Sequence, residues 1–392
     1  MPLSTFAGKT EIQKSLSGNE PMARAKKLLL GLLAGLLLAV ALLEASLPLL
    51  HDRFSIYFRR GITPSTLKAA EAQRFFSSKR FDPELGWDHN PVARNYVPKK
   101  RYLAQSYGDS FVESAGDLQD SWQAHFERLT GEAILNFGIG GYGLDQAVLK
   151  FEKYAPRYST HIAIIGLYHQ MYRRALSYYS FYYFANSDAF MFAFKPIFVK
   201  TDNQFELIRP PCADAACFLA IASNPDHQVW RFLARYDYWY QANQKKPFRG
   251  FPNAIKYARV LDQILQQRRE LRGTENYFFV NAGALNLMEY LIERFVKDSR
   301  DMGMIPVCVM LYGSTDLAVI KSGIRLDGEL LKFLVAKDIP YVDTAQYILE
   351  KYPDDDRFEG LILPDGHLNS RGNLMVAEAL AQGLASMGLL EH

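Results

Sequence analysis

The most apolar part of the chain is residues 28–43, LLLGLLAGLLLAVALL, which carry no charged side chain. The apolar character continues to Leu50, interrupted only by Glu44, so that the span 28–50 is 23 residues long. A helix of about 20 apolar residues crosses a bilayer. The pattern therefore predicts a transmembrane helix.

The flanking charges predict the orientation of this helix. Arg24, Lys26 and Lys27 precede the apolar span, and positive charge favours the cytoplasmic side. We therefore expect a single-pass protein of the inner (cytoplasmic) membrane, with everything after Leu50 in the periplasm or outside the cell. A cleaved signal peptide is the alternative, although Leu43-Glu44-Ala45 is a poor cleavage site.

Beyond residue 100, short apolar runs alternate with amphipathic stretches. The predicted strands are 101–107, 132–138, 160–168, 304–311 and 339–343. The predicted helices are 118–131, 144–156, 282–301, 323–336, 345–351 and one that ends near 387. This order predicts right-handed βαβ units and a parallel sheet covered by helices on both faces. Two local expectations are a helix over 63–76 and a core-facing stripe of Trp122, Phe126 and Leu129.

The alternation stops over 169–275, which is rich in aromatic residues and contains proline. The aromatic residues of ALSYYSFYYFANSDAFMFAFKPIF are Tyr178, Tyr179, Phe181, Tyr182, Tyr183, Phe184, Phe190, Phe192, Phe194 and Phe198. They fit the core of a small subdomain, a wall that stacks on sugars, or a surface at the membrane interface. Arg173 and Arg174 fit solvated surface charges, with contact to an anionic polymer as the alternative.

These patterns divide the chain into a few segments. They are a cytoplasmic tail (1–27), an anchor (28–50), a linker and N-terminal extension (51–100), and an α/β domain (101–392) with an insertion at about 169–275.

Charge and cysteine content narrow the function classes. The net charge of +3 resides in residues 1–27, and the remainder is formally neutral, so nothing suggests a nucleic-acid partner. Cys212 and Cys217 form a disulfide in one interpretation and are unpaired in the other, while Cys308 fits a buried core position. The cysteines make a poor zinc site, and the sequence implies no metal or organic cofactor.

Four segments fall after predicted strands, where parallel α/β sheets bind ligands. They are Gly108-Asp109-Ser110, the glycine cluster GIGGYG (138–143), residues 166–170 and the loop LPDGHLNSRGN (363–373). A serine hydroxyl needs a base and a group that orients this base. Ser110, His367 and Asp365 are the candidates for these roles, with backbone N–H groups of Ser110 and of a glycine in 138–143 as oxyanion donors.

In these blocks the chain resembles the SGNH (GDSL-type) hydrolases, in particular the membrane-anchored, envelope-facing group associated with bacterial polysaccharide modification. Gly108-Asp109-Ser110 matches the first block, Gly141 the oxyanion glycine of the second, and Asp365-Gly-His367 the last. The segment Phe81-Asp-Pro-Glu-Leu-Gly-Trp87 is also similar to this subgroup. The resemblance implies a three-layer α/β/α sandwich with a parallel sheet of SGNH/flavodoxin-like type.

The third block departs from the family pattern Gly-x-Asn. Here it reads Gly166-Leu-Tyr-His-Gln, so the side-chain oxyanion donor is missing. The candidates to replace it are Tyr168, His169 and Gln170. Losing one such donor costs roughly 10²–10³ in rate.

The resemblance and the anchor together imply a membrane-bound serine esterase or O-acyltransferase. Its expected substrate is O-acetyl groups on an envelope or secreted polysaccharide, with partners in a polysaccharide-modification complex. One alternative is a lipid or lysophospholipid acyl hydrolase. The other is a non-catalytic polysaccharide-binding or assembly protein, which the missing Asn would suit.

Overall fold

The computed structural model describes residues 20–54, 64–114, 116–184, 191–202, 204–244, 252–255, 257–258, 261–262, 283–353 and 358–390. Most of the predicted cytoplasmic tail and Phe190 of the aromatic stretch lie outside these residues. The chain forms two compact units. One holds the segments 1–59 and 247–262, and the other holds the remainder.

The first unit is dominated by one long helix, α1 (Glu20–Phe54). Its stretch Arg24–Leu47 has 24 residues and a mean hydropathy of 2.5, which is long and apolar enough to cross a membrane. Leucines along this stretch are exposed, for example Leu36 at 64%. The predicted apolar helix is therefore present, and by length and composition it fits an anchor or a signal sequence.

The second unit is built on a five-stranded sheet whose strands all run parallel. Its strands are β3 (Ala104–Tyr107), β4 (Ile134–Asn136), β5 (Ile162–Leu167), β8 (Ile305–Met310) and β9 (Tyr341–Asp343). Their spatial order is β4-β3-β5-β8-β9. The chain thus turns to opposite sides of β3, which makes the β3/β5 boundary the topological switch point.

Two groups of helices cover this sheet. The first group consists of three helices that pack together, α4 (Trp122–Thr130), α14 (Thr344–Lys351) and α15 (Ser370–Ser386). The second group consists of α5 (Leu144–Tyr154), α11 (Ala284–Asp301) and α13 (Gly328–Ala336), which also pack together. The predicted α/β class with a parallel sheet is confirmed. β5 is buried at every position, as a strand covered on both faces must be.

Three local expectations need correction. Leu129 is 49% exposed rather than in the core, although Trp122 and Phe126 are fully buried. The helix predicted over 323–336 is preceded by another, α12 (Ser314–Lys321), and Gly323 separates the two at a φ of 88°. Over 63–76, a 3-10 turn (Pro64–Thr66) precedes a shorter helix, α2 (Ala69–Phe76).

The described residues of the insertion up to 244 pack against the α/β core. They include a hairpin, β6 (Ile197–Thr201) and β7 (Gln204–Ile208), and several short helices. The helices are α6 (His169–Ala175), α7 (Ser180–Tyr183), α8 (Ala215–Ser223), α9 (Gln228–Tyr236) and α10 (Tyr238–Gln244). Cys212 and Cys217 form a disulfide, and Cys308 is free and buried.

The described aromatic residues of the insertion mostly form a packed core. Tyr178, Tyr179, Phe181, Phe192, Phe194 and Phe198 are buried. Phe192 and Phe194 pack against Phe218 of α8, with centroid distances of 5.4 and 6.3 Å. This arrangement fits the core of a small subdomain better than a sugar-stacking wall.

The segment ahead of the domain is also part of the folded core. β1 (Phe81–Asp82) pairs with β2 (Gly86–Trp87) in a small hairpin. Lys150 of α5 is fully buried and lies 2.7 Å from the buried Asp88 carboxylate. Burial lowers the pKa of Lys150 to about 8 despite this partner. A buried pair of this kind keeps residues 81–88 fixed against the domain, since separating it would leave a charge without a partner.

Candidate active site

Ser110 lies just after β3, at the first residue of the short helix α3 (Ser110–Glu113). Asp109 caps this helix, because its Oδ1 accepts a hydrogen bond from the N–H of Phe111 at 2.9 Å. Asp109 is fully buried, whereas Ser110 remains partly exposed. The strand therefore presents one accessible hydroxyl at the carboxyl edge of the sheet, beside the switch point.

His367 reaches this hydroxyl from near the C-terminus. Its Nε2 lies 2.9 Å from Oγ of Ser110, the distance at which a base can take a proton. The histidine sits in a tight loop closed by a bridge between Ile362 and Leu368. Within the loop Gly366 has a φ of 91°, a conformation that glycine adopts at little cost.

Asp365 lies beside the other ring nitrogen. Its Oδ1 is 3.1 Å from Nδ1 of His367 and also accepts the backbone N–H of His367 at 3.1 Å. Nδ1 and the carboxylate are close, but they are not aligned for a hydrogen bond. The backbone N–H and the nearby imidazole lower the pKa of Asp365, so this carboxylate is ionised at neutral pH. Its side chain is 60% exposed, compared with 28% for His367.

The glycine cluster after β4 passes close to the nucleophile candidate. A Cβ placed on Gly140 would lie 3.9 Å from Cβ of Ser110, and one on Gly138 would lie 2.1 Å from the N of Glu113. A side chain at 138 would thus collide with α3. Gly141 has a φ of 82°, which a residue with a Cβ adopts only with strain.

Two backbone N–H groups at this edge are available for an oxyanion. Within the described part of the chain, the N–H groups of Ser110 and Gly141 donate to no protein acceptor. The neighbouring N–H of Gly140 is occupied, because it donates to Oε2 of Glu113 at 2.5 Å. The sequence analysis predicts these two N–H groups as the oxyanion donors, and preorganised donors of this kind stabilise developing negative charge.

A buried arginine connects the two segments that carry these N–H groups. Nη1 of Arg174 lies 2.8 Å from Oδ2 of Asp109, which precedes Ser110. The same nitrogen donates to the carbonyl of Tyr142, which follows Gly141, at 3.3 Å. Arg174 is only 6% exposed. The sequence-based view of Arg174 as a solvated surface charge is therefore wrong, because its partner Asp109 lies far away in sequence.

Glu113, the last residue of α3, forms a second connection. In addition to the hydrogen bond from the Gly140 N–H, Glu113 accepts one from Nε2 of His89, which lies 2.7 Å from its Oε1. Nη1 of Arg94 lies 3.8 Å from the same oxygen. Burial opposes ionisation of Glu113, but the His89 hydrogen bond, the Gly140 N–H and the Arg94 charge together lower its pKa. Glu113 therefore stays an anion and holds the glycine cluster on α3.

The N-terminal extension supports the outer side of the same cluster. Nε1 of Trp87 donates to the carbonyl of Gly140 at 3.1 Å, and the hydroxyl of Tyr142 donates to the carbonyl of Trp87 at 2.6 Å. Nδ2 of Asn90 donates to the carbonyl of Gly138 at 3.3 Å. Residues 87–90 thus form part of the wall of the candidate site, a role that the sequence did not reveal.

The three candidates for the missing third-block donor differ in their surroundings. The ring of Tyr168 stacks on Phe111 with centroids 3.8 Å apart, and burial followed by nearby carboxylates raises the pKa of its hydroxyl. Nδ1 of His169 lies 3.1 Å from Asp316. Oε1 of Gln170 accepts a hydrogen bond from Arg174 at 2.6 Å. This last contact orients the Gln170 amide with its oxygen towards Arg174, which leaves its NH₂ group on the other side.

The structure thus brings together Ser110 and His367, places Asp365 beside His367, and sets Gly141 on the loop next to Ser110. Sequence reasoning missed Glu113, Arg174 and the 87–90 segment. Among the described residues, no group of three or more His, Cys, Asp or Glu side chains could hold a metal ion.

Comparison with known proteins gives similarity in structure only. No family model matches the chain, and no curated protein matches it. The solved structures that resemble it include a G-D-S-L family protein from Desulfitobacterium hafniense (12% identity, TM-score 0.36, covering 72% of this chain and 98% of that one). They also include a lipolytic G-D-S-L family member from Veillonella parvula (10% identity, TM-score 0.33, covering 71% and 96%). The descriptions of both structures name the G-D-S-L family.

Proposed function

We propose that this protein is a serine hydrolase or acyltransferase that acts on ester bonds, with Ser110 as nucleophile and His367 as base. The observation that carries the proposal is the 2.9 Å contact between Ser110 Oγ and His367 Nε2. It occurs at the switch point of a parallel sheet, beside two N–H groups that have no protein acceptor among the described residues.

The proposed reaction follows the usual course for a serine nucleophile. His367 Nε2 takes the hydroxyl proton as Ser110 Oγ bonds to the ester carbonyl carbon. The N–H groups of Ser110 and Gly141 stabilise the resulting oxyanion. His367 then returns the proton to the departing alkoxide, which leaves an acyl-serine. Water or a sugar hydroxyl accepts the acyl group in the second half, with His367 again as base and Asp365 stabilising the imidazolium.

A second serine–histidine pair in this chain shows why the surroundings matter. Oγ of Ser370 lies 3.2 Å from Nε2 of His125, but it donates its hydrogen to Asp120 at 2.7 Å. Burial and the nearby Arg128 charge lower the pKa of His125. The hydroxyl proton of Ser370 is therefore held by a carboxylate. The partner of the Ser110 hydroxyl is instead the imidazole of His367, which can take its proton.

The proposal extends to the location and the substrate class. The apolar helix α1 suits a membrane anchor, and the Cys212–Cys217 disulfide suits an oxidising compartment outside the cytoplasm. We therefore propose that the catalytic domain lies outside the cytoplasmic membrane. Partners in a polysaccharide-modification complex are proposed from the motif resemblance alone. The proposed substrate is O-acetyl groups of an envelope or secreted polysaccharide.

Active-site labelling tests the nucleophile. The full-length protein in detergent is treated with a fluorophosphonate probe, which forms a bond with activated serines. Labelling is expected in the wild type, absent in Ser110→Ala and strongly reduced in His367→Ala. Ser370→Ala is the matched control and should label like the wild type. A folded wild type that does not label, or labelling that survives Ser110→Ala, would reject the proposal.

Ester turnover then separates the substrate classes. A panel of acetyl and long-chain esters is compared at equal concentration, with and without an oligosaccharide acceptor. Preference for acetyl esters supports the polysaccharide proposal, and preference for long-chain esters supports lipid hydrolysis instead.

A non-catalytic role is the second candidate, favoured by one specific observation. Nδ1 of His367 lacks an aligned acceptor, and Asp365 is largely exposed. Asp365 therefore orients and stabilises His367 less than the buried aspartate of a Ser-His-Asp triad does. Polysaccharide binding that persists in Ser110→Ala, together with no turnover of any ester by the wild type, would favour this role.

A further inference from the structure

Glu44 is the one charged residue inside the apolar span 28–50, and it has a specific partner. Its Oε2 accepts the backbone N–H of Asn253 at 2.5 Å, and its Oε1 accepts that of Ala254 at 2.7 Å. Nδ2 of Asn253 donates in turn to the carbonyl of Glu44 at 3.4 Å. A carboxylate with these contacts caps the first turn of a helix.

The capped segment follows Pro252 and is helical at 253–255, 257–258 and 261–262. It belongs to the same compact unit as α1. Asn253 is buried at 9% exposure, whereas Ile255 and Leu261 are 54% and 44% exposed. One side of the segment therefore faces the end of α1, and large apolar side chains project from it elsewhere.

The position of Glu44 along α1 sets the level of this segment. The uncharged run 28–43 spans about 24 Å at 1.5 Å per residue, close to the roughly 30 Å of a hydrocarbon core. Leucines on both sides of Glu44 are exposed, Leu43 at 48% and Leu49 at 73%, whereas Leu47 is only 2% exposed. Glu44 directly follows the uncharged run, and this position puts it near the outer boundary of the bilayer. An acidic residue at such a position is rare and normally has a function.

From these contacts we infer that the described residues of the segment 252–262 lie on the outer surface of the membrane, held to α1 by Glu44, with Ile255 and Leu261 in the lipid interface. The inference rests on the proposed membrane anchoring of α1. It identifies Glu44 as the residue that holds this segment at the bilayer surface. Apolar side chains on a short helix at this level enter the boundary between head groups and acyl chains.

Fluorescence quenching in nanodiscs tests this inference on the full chain. Single cysteines replace Ile255, Leu36 in the middle of the span, or Val335 on α13, which is 65% exposed. Each carries an environment-sensitive fluorophore. The native cysteines do not interfere, because Cys212 and Cys217 are disulfide-bonded and Cys308 is buried. Lipids with a spin label near the head group or deep in the acyl chain act as quenchers.

The expected result is quenching of Ile255→Cys by the shallow spin label about twofold or more above the Val335→Cys background. Leu36→Cys should be quenched most by the deep label. Adding Glu44→Ala should abolish the excess at position 255 and leave position 36 unchanged, whereas Glu44→Gln, which keeps one acceptor oxygen, should retain part of it.

The outcomes separate this inference from the anchoring on which it rests. Strong quenching at position 36 with only background quenching at 255 overturns the interfacial segment and leaves the anchor in place. Absence of quenching at 36 overturns the anchor itself. Quenching at 255 that does not change in Glu44→Ala overturns the role of Glu44.

Discussion

The two halves of the candidate site are built in different ways. On one side, the segments that carry Ser110 and Gly141 are held by the buried pair Asp109–Arg174, whose side chains are 0% and 7% exposed. On the other side, His367 and Asp365 belong to one short loop, and their side chains are 28% and 60% exposed. Buried polar contacts between distant segments fix the first half, and a local turn fixes the second.

This difference separates two requirements of acyl transfer. Oxyanion donors must be in place before charge develops, because their benefit depends on not having to reorganise. A base needs only to reach the hydroxyl and to be oriented. We therefore expect substitutions on the buried side to alter folding and activity together, and substitutions on the exposed side to alter activity alone.

The largest effect is expected at Arg174. Arg174→Met would leave the buried Asp109 carboxylate without its cationic partner, which costs about 3–5 kcal/mol of unfolding free energy. Arg174→Lys keeps a positive charge near Asp109 but cannot reach Asp109, Tyr142 and Gln170 together, so it should fold and lose activity. Denaturant unfolding measures the first effect, and fluorophosphonate labelling measures the second.

Arg173 is the natural control for this experiment, because Arg173→Lys changes the adjacent arginine without removing the Asp109 partner. It should label like the wild type. An Arg174→Met variant with wild-type stability would show that the Asp109–Arg174 pair does not hold this side of the site.

Gly141→Ala should have the next largest effect. Alanine at a φ of 82° is strained by roughly 1–2 kcal/mol, and relief of that strain would turn the residue 141 N–H away from its position. We expect a moderate loss of stability and a loss of labelling rate of about 10²-fold, the scale seen when one oxyanion donor is removed. Gly131→Ala is a matched control, because Gly131 has a φ of 79° at the end of α4. It should lose stability and keep the labelling rate.

Asp365→Asn should have a smaller effect than the aspartate of a buried triad. Removing that aspartate costs about 10⁴ in kcat, but here the carboxylate is exposed and not aligned with the ring. We expect labelling to slow about tenfold, which corresponds to about 1.4 kcal/mol, with no change in unfolding free energy. A loss near 10⁴ would show instead that the loop closes into a buried triad when substrate binds.

The sequence predicted the sheet and the main chemical groups because both depend on local patterns. Apolar runs such as Ile162–Leu167 need no knowledge of the rest of the chain to be recognised as buried strands. The order of the strands then places Ser110 and His367 at one edge. Leu129 was misplaced because helical periodicity predicts a face, whereas the neighbouring elements decide how much of that face is covered.

The supports of the site could not be predicted in the same way. Arg174 and Asp109 are separated by 65 residues, and Glu113 and His89 by 24. Each is an ordinary charged residue whose burial follows from tertiary packing. The segment around Trp87 looked like a turn-rich linker for the same reason, since its hydrogen bonds go to Gly140 and Tyr142, which nothing in the local sequence indicates.

The smallest predicted effect concerns Glu113 and appears only in the pH dependence of stability. The folded protein lowers the pKa of Glu113 below its usual value of 4.5. The ionised carboxylate therefore stabilises the fold fully above about pH 4.5, and this contribution is lost as the pH falls through the lower pKa of the folded state. The unfolding free energy of the wild type should exceed that of Glu113→Gln most at pH 6–7, and the difference should narrow below pH 4.5.

His89→Gln separates the part of this pH dependence that comes from the His89 contact from the part that comes from the Gly140 N–H. It removes the imidazole that binds Glu113 but leaves the carboxylate on the Gly140 N–H, so part of the pH dependence should remain. Urea unfolding at several pH values measures all three proteins. A gap between wild type and Glu113→Gln that stays constant from pH 7 to pH 3 would mean that the carboxylate charge does not hold the glycine cluster. The glycine cluster would then depend on its contacts with Arg174, Trp87 and Asn90.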